Sequence, residues 1–153
     1  HGAVRPTIIP EEVEMVGTIR TFEPVMRTDI HERIRKTAAL IAKSGGAAAE
    51  VSIDPGYPVT FNDPNLTARM VPTLEAATGR GHAVLMPPST GAEDFSYYQQ
   101  KVPGLFFFLG VTPPDRDPAQ APMLHSPRFY ADERALILGI RTLARLTVAS
   151  LEK

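Results

Sequence analysis

Apolar and polar residues alternate from Glu12 to Phe22, with Val13, Met15, Gly17 and Ile19 on one side and Glu12, Glu14, Thr18 and Arg20 on the other. This is the rhythm of a half-buried strand. Pro10 precedes the segment and Glu23-Pro24 ends it. Pro24 suits the first position of a helix. Met26, Ile30, Ile34, Ala38 and Ile41 then recur near helical spacing until Gly45-Gly46, which predicts a helix between those bounds with Arg27, Glu32, Arg35 and Lys43 on its outer face. Ala47, Ala49, Val51 and Ile53 alternate with Ala48, Glu50, Ser52 and Asp54, predicting a second strand that stops at Asp54-Pro55-Gly56.

A cluster of turn formers, Pro55, Gly56, Pro58, Asn62, Asp63 and Pro64, marks a connection and a domain boundary. The expected domains are 1–58 and 59–153. Beyond the break, Leu66 to Thr78 predicts a helix kinked or interrupted at Pro72, His82 to Met86 a short strand, and Glu93 to Lys101 a short helix. Leu105-Phe106-Phe107-Phe108-Leu109 is apolar without alternation, as in a strand covered on both faces by helices. Thr112 to Pro122 is a proline-rich loop. From Asp132 to about Leu151, the residues Leu136, Ile137, Ile140, Leu143, Ala144, Thr147 and Leu151 form one stripe of a helix expected to pack on that sheet. Strands alternating with helices predict an α/β fold.

Composition narrows the function. Of the 153 residues 43% are hydrophobic and 22% charged, which is ordinary for a globular chain. Cysteine is absent, so a thiol nucleophile, a disulfide and a thiolate metal site are excluded from these residues. The formal charge of −1 comes with no basic run, so no nucleic-acid partner is expected. The longest apolar stretch, Leu105 to Val111, is far short of the roughly 20 residues that span a bilayer, so no membrane partner is expected. No secretory signal is read at His1 to Pro6, and a cytoplasmic location is the expectation. There is no initiator Met, which predicts that the chain begins inside something larger.

Four places hold candidate chemistry. His125, between the proline-rich loop and the last helix, offers an imidazole where Pro127 limits the backbone and Asp132-Glu133 can orient ligands or cap the helix; a loop histidine with only a surface role is the plainer alternative. Gly91-Ala92-Glu93-Asp94 lets a ligand approach backbone N–H groups at a helix start, although Glu93 and Asp94 are also what a first helical turn prefers. Ser89 and Thr90 have no neighbouring base to activate them. Arg20, on the polar strand face, can grip a carboxylate or pair across strands. His31 reads as solvated and His82 as structural.

The stretches HGAVRPTIIPEEVEMVGTIRTF, GYPVTFNDP, STGAEDFSYY, VPGLFFFLG and HSPRFYADE together resemble the metal-dependent amidohydrolases. That family includes hippurate hydrolase, indole-acetyl-amino-acid hydrolases, aminoacylase and glutamate carboxypeptidase. The resemblance covers essentially the whole chain and points to the hippurate hydrolase-like branch. It implies the latter part of an α/β, ferredoxin-like lid and dimerisation domain over 1–58, then the C-terminal part of an α/β/α metallopeptidase-type catalytic domain. It also implies a homodimer through the lid, an N-acyl amino acid as substrate, and two divalent ions, zinc, manganese or cobalt, in the complete site. By this likeness His125 is a metal ligand, Arg20 a substrate-carboxylate contact and Gly91 part of the substrate-pocket wall. Thr7 stands where the family carries a substrate-contacting Asn, and a hydroxyl supplies less hydrogen bonding there than a carboxamide. The family's general base, remaining ligands and oxyanion-stabilising His have no match, so no catalytic residue is assigned and the chain alone is expected to be inactive. The alternatives are a non-catalytic binding or dimerisation module derived from the same family, or a soluble α/β piece with an exposed core.

Overall fold

The computed structural model describes residues 7–152. The chain divides into two compact units: one runs to Val59 and takes in Ser89–Ala92, and the other comprises Thr60–Pro88 and the chain from Glu93 onward.

Among the described residues of the first unit, the single regular element is α1, Pro24–Ser44. Pro24 starts it because a proline at the first turn gives up only an N–H that the helix leaves unpaired, and Glu23 before it is extended. The end is set by Gly45 and Gly46, whose N–H groups return to the carbonyls of Ala42 and Lys43, with Gly46 at φ 73°. Arg27 does not stay on the outer face: its Nη1 donates to the carbonyls of Pro55 (3.2 Å) and Tyr57 (3.1 Å). It thereby holds the turn that Asp54 makes by accepting from the Gly56 N–H at 2.9 Å. The apolar stripe of α1 remains largely open, with no buried residue on the helix.

The second unit is built on α2, Pro64–Thr78, and α4, Arg134–Leu151, with the short α3, Phe95–Gln99, and a 3-10 turn at Pro118–Gln120. Asp63 caps α2 by accepting from the Leu66 N–H at 2.7 Å. The helix runs unbroken through Pro72; that residue is exposed, and it costs the helix the hydrogen bond that its missing N–H would make. α2 and α4 are the only described elements that pack on each other. Met70 and Ala77 of α2 and Thr142 of α4 are buried in this unit.

The expected α/β architecture, in both the lid and the catalytic layers, is not what the chain adopts: among the described residues there are helices and no strand. Alternation reports which side of a segment prefers cover, but a ladder requires a neighbouring backbone about 4.8 Å away along its whole length. Residues 12–22, 47–54 and 82–86 form no such ladder. Met15 and Val16 are accordingly 90% and 89% exposed. The apolar run at Leu105–Leu109 fails for a more specific reason. The N–H and C=O of Phe106 are both taken by the side-chain amide of Asn62, which donates to Phe106 O and accepts from Phe106 N, each at 2.7 Å.

The last helix is also turned differently. With no sheet to cover it, the stripe through Leu136, Ile140 and Leu151 is 54%, 71% and 77% exposed. The face that packs is instead the one with small residues, where Ala135, Gly139, Thr142 and Ala149 allow close approach. A Cβ on Gly139 would lie 2.9 Å from the Leu109 side chain. Burial of Thr142 leaves its hydroxyl without a partner, and such an orphaned group costs about 1–3 kcal/mol. Thr142→Val keeps the shape and removes the hydroxyl. It is expected to stabilise the chain by about 1 kcal/mol, read as a higher urea midpoint with an unchanged slope.

Candidate functional site

His125 sits third in a turn closed by Ser126 N–H donating to Met123 O at 3.2 Å. Its φ of 65° is the only positive value among described non-glycine residues. The third position of a type II turn demands such a φ, and histidine is one of the few side-chain-bearing residues that tolerate it. A second turn follows, with Phe129 N donating to Ser126 O at 2.9 Å and Arg128 N to Ser126 Oγ at 3.2 Å. The imidazole is exposed and has no hydrogen bond to any described residue. Both ring nitrogens are free, so His125 fits as one metal donor. It does not complete a site: no group of three His, Asp or Glu with metal-holding geometry occurs among the described residues.

The loop and helix on either side of this turn are tied down. The Arg116 guanidinium lies 5.6 Å from the centre of the Tyr130 ring. Asp132 is buried, donates its N–H to Val111 O at 2.8 Å, and accepts from the Arg134 N–H at 3.0 Å. Its carboxylate also takes Arg134 Nε and Nη2, at 2.9–3.0 and 2.6 Å. Asp132 therefore sits just before α4 with both carboxylate oxygens engaged by Arg134. The Arg134 side-chain hydrogen bonds, then its backbone N–H, hold the Asp132 carboxyl below its ordinary 3.8. A depressed carboxyl contributes stability that is complete above the unfolded value and is lost as pH falls through the folded one. Acid titration below about pH 4 should therefore loosen α4, and Asp132→Asn should flatten that part of the stability profile.

Arg20 is exposed, and its Nη1 donates to the Thr90 carbonyl at 2.8 Å. The fold thus joins Arg20 to the peptide that leads into Gly91, within one compact unit. Gly91 is exposed, and nothing lies within 4 Å of where its Cβ would be. Thr7 lies in a turn in the same unit, exposed and without a hydrogen bond to described residues. Glu93 serves the start of α3, its Oε1 accepting from the Phe95 N–H at 3.3 Å and its carbonyl from Ser96 Oγ at 2.6 Å. Asp94 makes no side-chain cap.

Sequence reasoning missed Asn62 and Gln99, which position the segment after α3. Gln99 Oε1 accepts from the Phe61 N–H at 3.0 Å, and its Nε2 faces Asn62 Oδ1 at 3.4 Å. A Cβ on Gly104 would come within 2.7 Å of Gln99 Cγ, so only glycine fits there without displacing that side chain. In sequence Asn62 is one more turn former, and its partner Phe106 is 44 residues away; no local pattern signals that pairing.

The chain matches the model of Peptidase family M20/M25/M40 over residues 2–149. It is 36% identical to the N-acetylcysteine deacetylase of Bacillus subtilis over 146 residues, covering 95% of this chain and 36% of that protein. It is 35% identical to thermostable carboxypeptidase 2 of Saccharolobus solfataricus over 149 residues, covering 97% of this chain and 37% of that one. The crystal structure of Bacillus subtilis YxeP, described as a dinuclear metal binding peptidase of the M20 family, superimposes with a TM-score of 0.74 at 32% identity, covering 100% of this chain and 40% of that chain. The chain therefore spans little more than a third of the length of these curated relatives. With its fold and nearly all its residues matched, the chain belongs to the M20/M25/M40 peptidase family.

Proposed function

We propose that this chain is part of a metal-dependent amidohydrolase of the hippurate hydrolase-like branch, cleaving the amide bond of N-acyl amino acids. In this reading it contributes one metal ligand, His125, and one carboxylate anchor, Arg20. The observation that carries the reading is the His125 turn: a positive φ at 65° presents an imidazole with both nitrogens unengaged. Backbone strain held at one exposed polar residue is a feature of binding sites. The likeness to the N-acetylcysteine deacetylase supports an N-acyl substrate that also carries a carboxylate.

In this chemistry two divalent ions, zinc, manganese or cobalt, supply Lewis acidity and an activated water. His125 would give an imidazole nitrogen to that centre, and the other ligands would come from outside the described residues. Arg20, whose Nη1 rests on the Thr90 carbonyl, offers its planar fork to a substrate carboxylate. Gly91, lacking a side chain, leaves the pocket wall open beside it, and Thr7 offers a hydroxyl. The exposed apolar residues of the first unit, Met15 and Val16 among them, support a homodimer formed through 1–58, which sedimentation at several concentrations would detect.

Arg20→Ala tests the anchor. In the protein assembled to its relatives' full length, losing a charge-assisted bond of about 1.5–3 kcal/mol should raise KM by roughly 10- to 100-fold with kcat nearly unchanged. An unaltered KM for N-acyl amino acids would remove Arg20 from the site.

A further inference from the structure

Ser89–Ala92 is flanked in sequence by Pro88 and Glu93 of the second unit, yet it groups with the first. Among the described residues, the one hydrogen bond made by any of these four residues is that from Arg20 Nη1 to the Thr90 carbonyl. A peptide unit is planar with its N–H opposite its C=O. While the Thr90 carbonyl faces the guanidinium, the Gly91 N–H therefore points away from it. The open space around Gly91 means that no neighbouring atom within 4 Å of its Cβ position holds that peptide in place. Among the described residues, the bond to Arg20 is the one hydrogen bond that holds this peptide.

We propose that the Thr90 carbonyl is the resting occupant of Arg20, and that a substrate carboxylate displaces it and releases Ser89–Ala92. The inference rests on Arg20 being the carboxylate anchor. A neutral carbonyl accepts one bond from the guanidinium, whereas a carboxylate accepts two in parallel, each charge-assisted and roughly twice as strong. Arg20 is exposed, so the exchange trades one hydrated contact for another without burying an unpaired charge. Gly91 then allows the freed peptide to rotate, because glycine reaches backbone conformations closed to other residues. The consequence is a check on the charge of the ligand: an uncharged amide with the same acyl group leaves the latch closed.

In the protein assembled to its relatives' full length, with carbonyl carbon-13 in threonine and nitrogen-15 in glycine confined to this segment by ligation, the Thr90–Gly91 peptide is isolated by NMR, since these residues contain only one other Thr-Gly pair, Thr78-Gly79. That second pair serves as the internal control. Without ligand, Arg20→Gln should move the Thr90 carbonyl signal. N-benzoylglycine should move the wild-type signal saturably toward the position seen in Arg20→Gln, and N-benzoylglycinamide should leave it in place. An Arg20→Gln signal identical to wild type would overturn the latch. If N-benzoylglycine shifts the Arg20 Nε resonance but not Thr90, the exchange is wrong while the anchor stands. If N-benzoylglycine shifts neither, the anchor itself is wrong and the exchange falls with it.

Discussion

Asn62→Ala should destabilise the chain by about 2–3 kcal/mol, because one substitution strips partners from both polar groups of a half-buried peptide. The Asn62 amide donates to Phe106 O and accepts from Phe106 N, acting as a single rung of a ladder in a segment with no strand beside it. Its loss also frees Gln99 Nε2 and loosens the seat of an aromatic group in which Phe106 lies 6.0 Å from Phe95 and 5.3 Å, edge-on, from Phe108. Asn62→Asp separates the two roles. It keeps the acceptor for Phe106 N but sets a carboxylate oxygen against Phe106 O, so it should be at least as destabilising at neutral pH and should recover in part when acid protonates the new carboxyl. Denaturant midpoints at pH 7 and pH 4 would register both effects; equal midpoints for wild type and Asn62→Ala would show that the rung is dispensable.

On the proposed role of His125 as a metal ligand, His125→Gly should abolish the contribution of this chain to metal binding while leaving its turn intact. Removing even an outer partner of a metal ligand costs about 10- to 100-fold in affinity, so deleting the ligand should exceed that. The backbone effect nearly cancels. Relief of a left-handed conformation returns about 1 kcal/mol, and the greater freedom of glycine in the unfolded chain takes back about as much. His125→Val lacks that compensation and should lose about 1–2 kcal/mol of stability, because a β-branched residue strains at φ 65°. The pair of variants thus separates imidazole chemistry from turn geometry by comparing metal affinity with thermal midpoint.

The helices were legible because their signals are local. Pro24 and Gly45-Gly46 bracket α1 as the turn-former pattern required, and α4 ends at Leu151 where its stripe stops. α2 starts earlier than its apolar period suggested because Asp63 and Pro64 supply a cap and a first residue. α3 is shorter than expected, since Glu93 spends its side chain on the first turn. Pairing is not local, and there the reading failed. Alternation over Glu12 to Phe22 and 47–54 marked a preferred face but could not supply a neighbouring strand, and Leu105–Leu109 is served by a side chain far along the chain. At the site, residue types such as a histidine before a proline and an arginine on a polar face were visible in the sequence. What they touch was not: the Arg20 contact with Thr90 spans 70 residues, and the engagement of Asp132 by Arg134 emerged only with the start of α4 in place.

The account turns on His125 serving a metal centre that the rest of the polypeptide completes. The most direct test is metal content and N-acyl amino acid hydrolysis, measured for this chain alone, for the chain joined to polypeptide covering the remaining length of its relatives, and for that assembly carrying His125→Gly. The account predicts neither stoichiometric metal nor turnover for the chain alone, two divalent ions with hydrolysis for the assembly, and loss of both metal and hydrolysis in the variant. Full metal and undiminished hydrolysis in the His125→Gly assembly would contradict it.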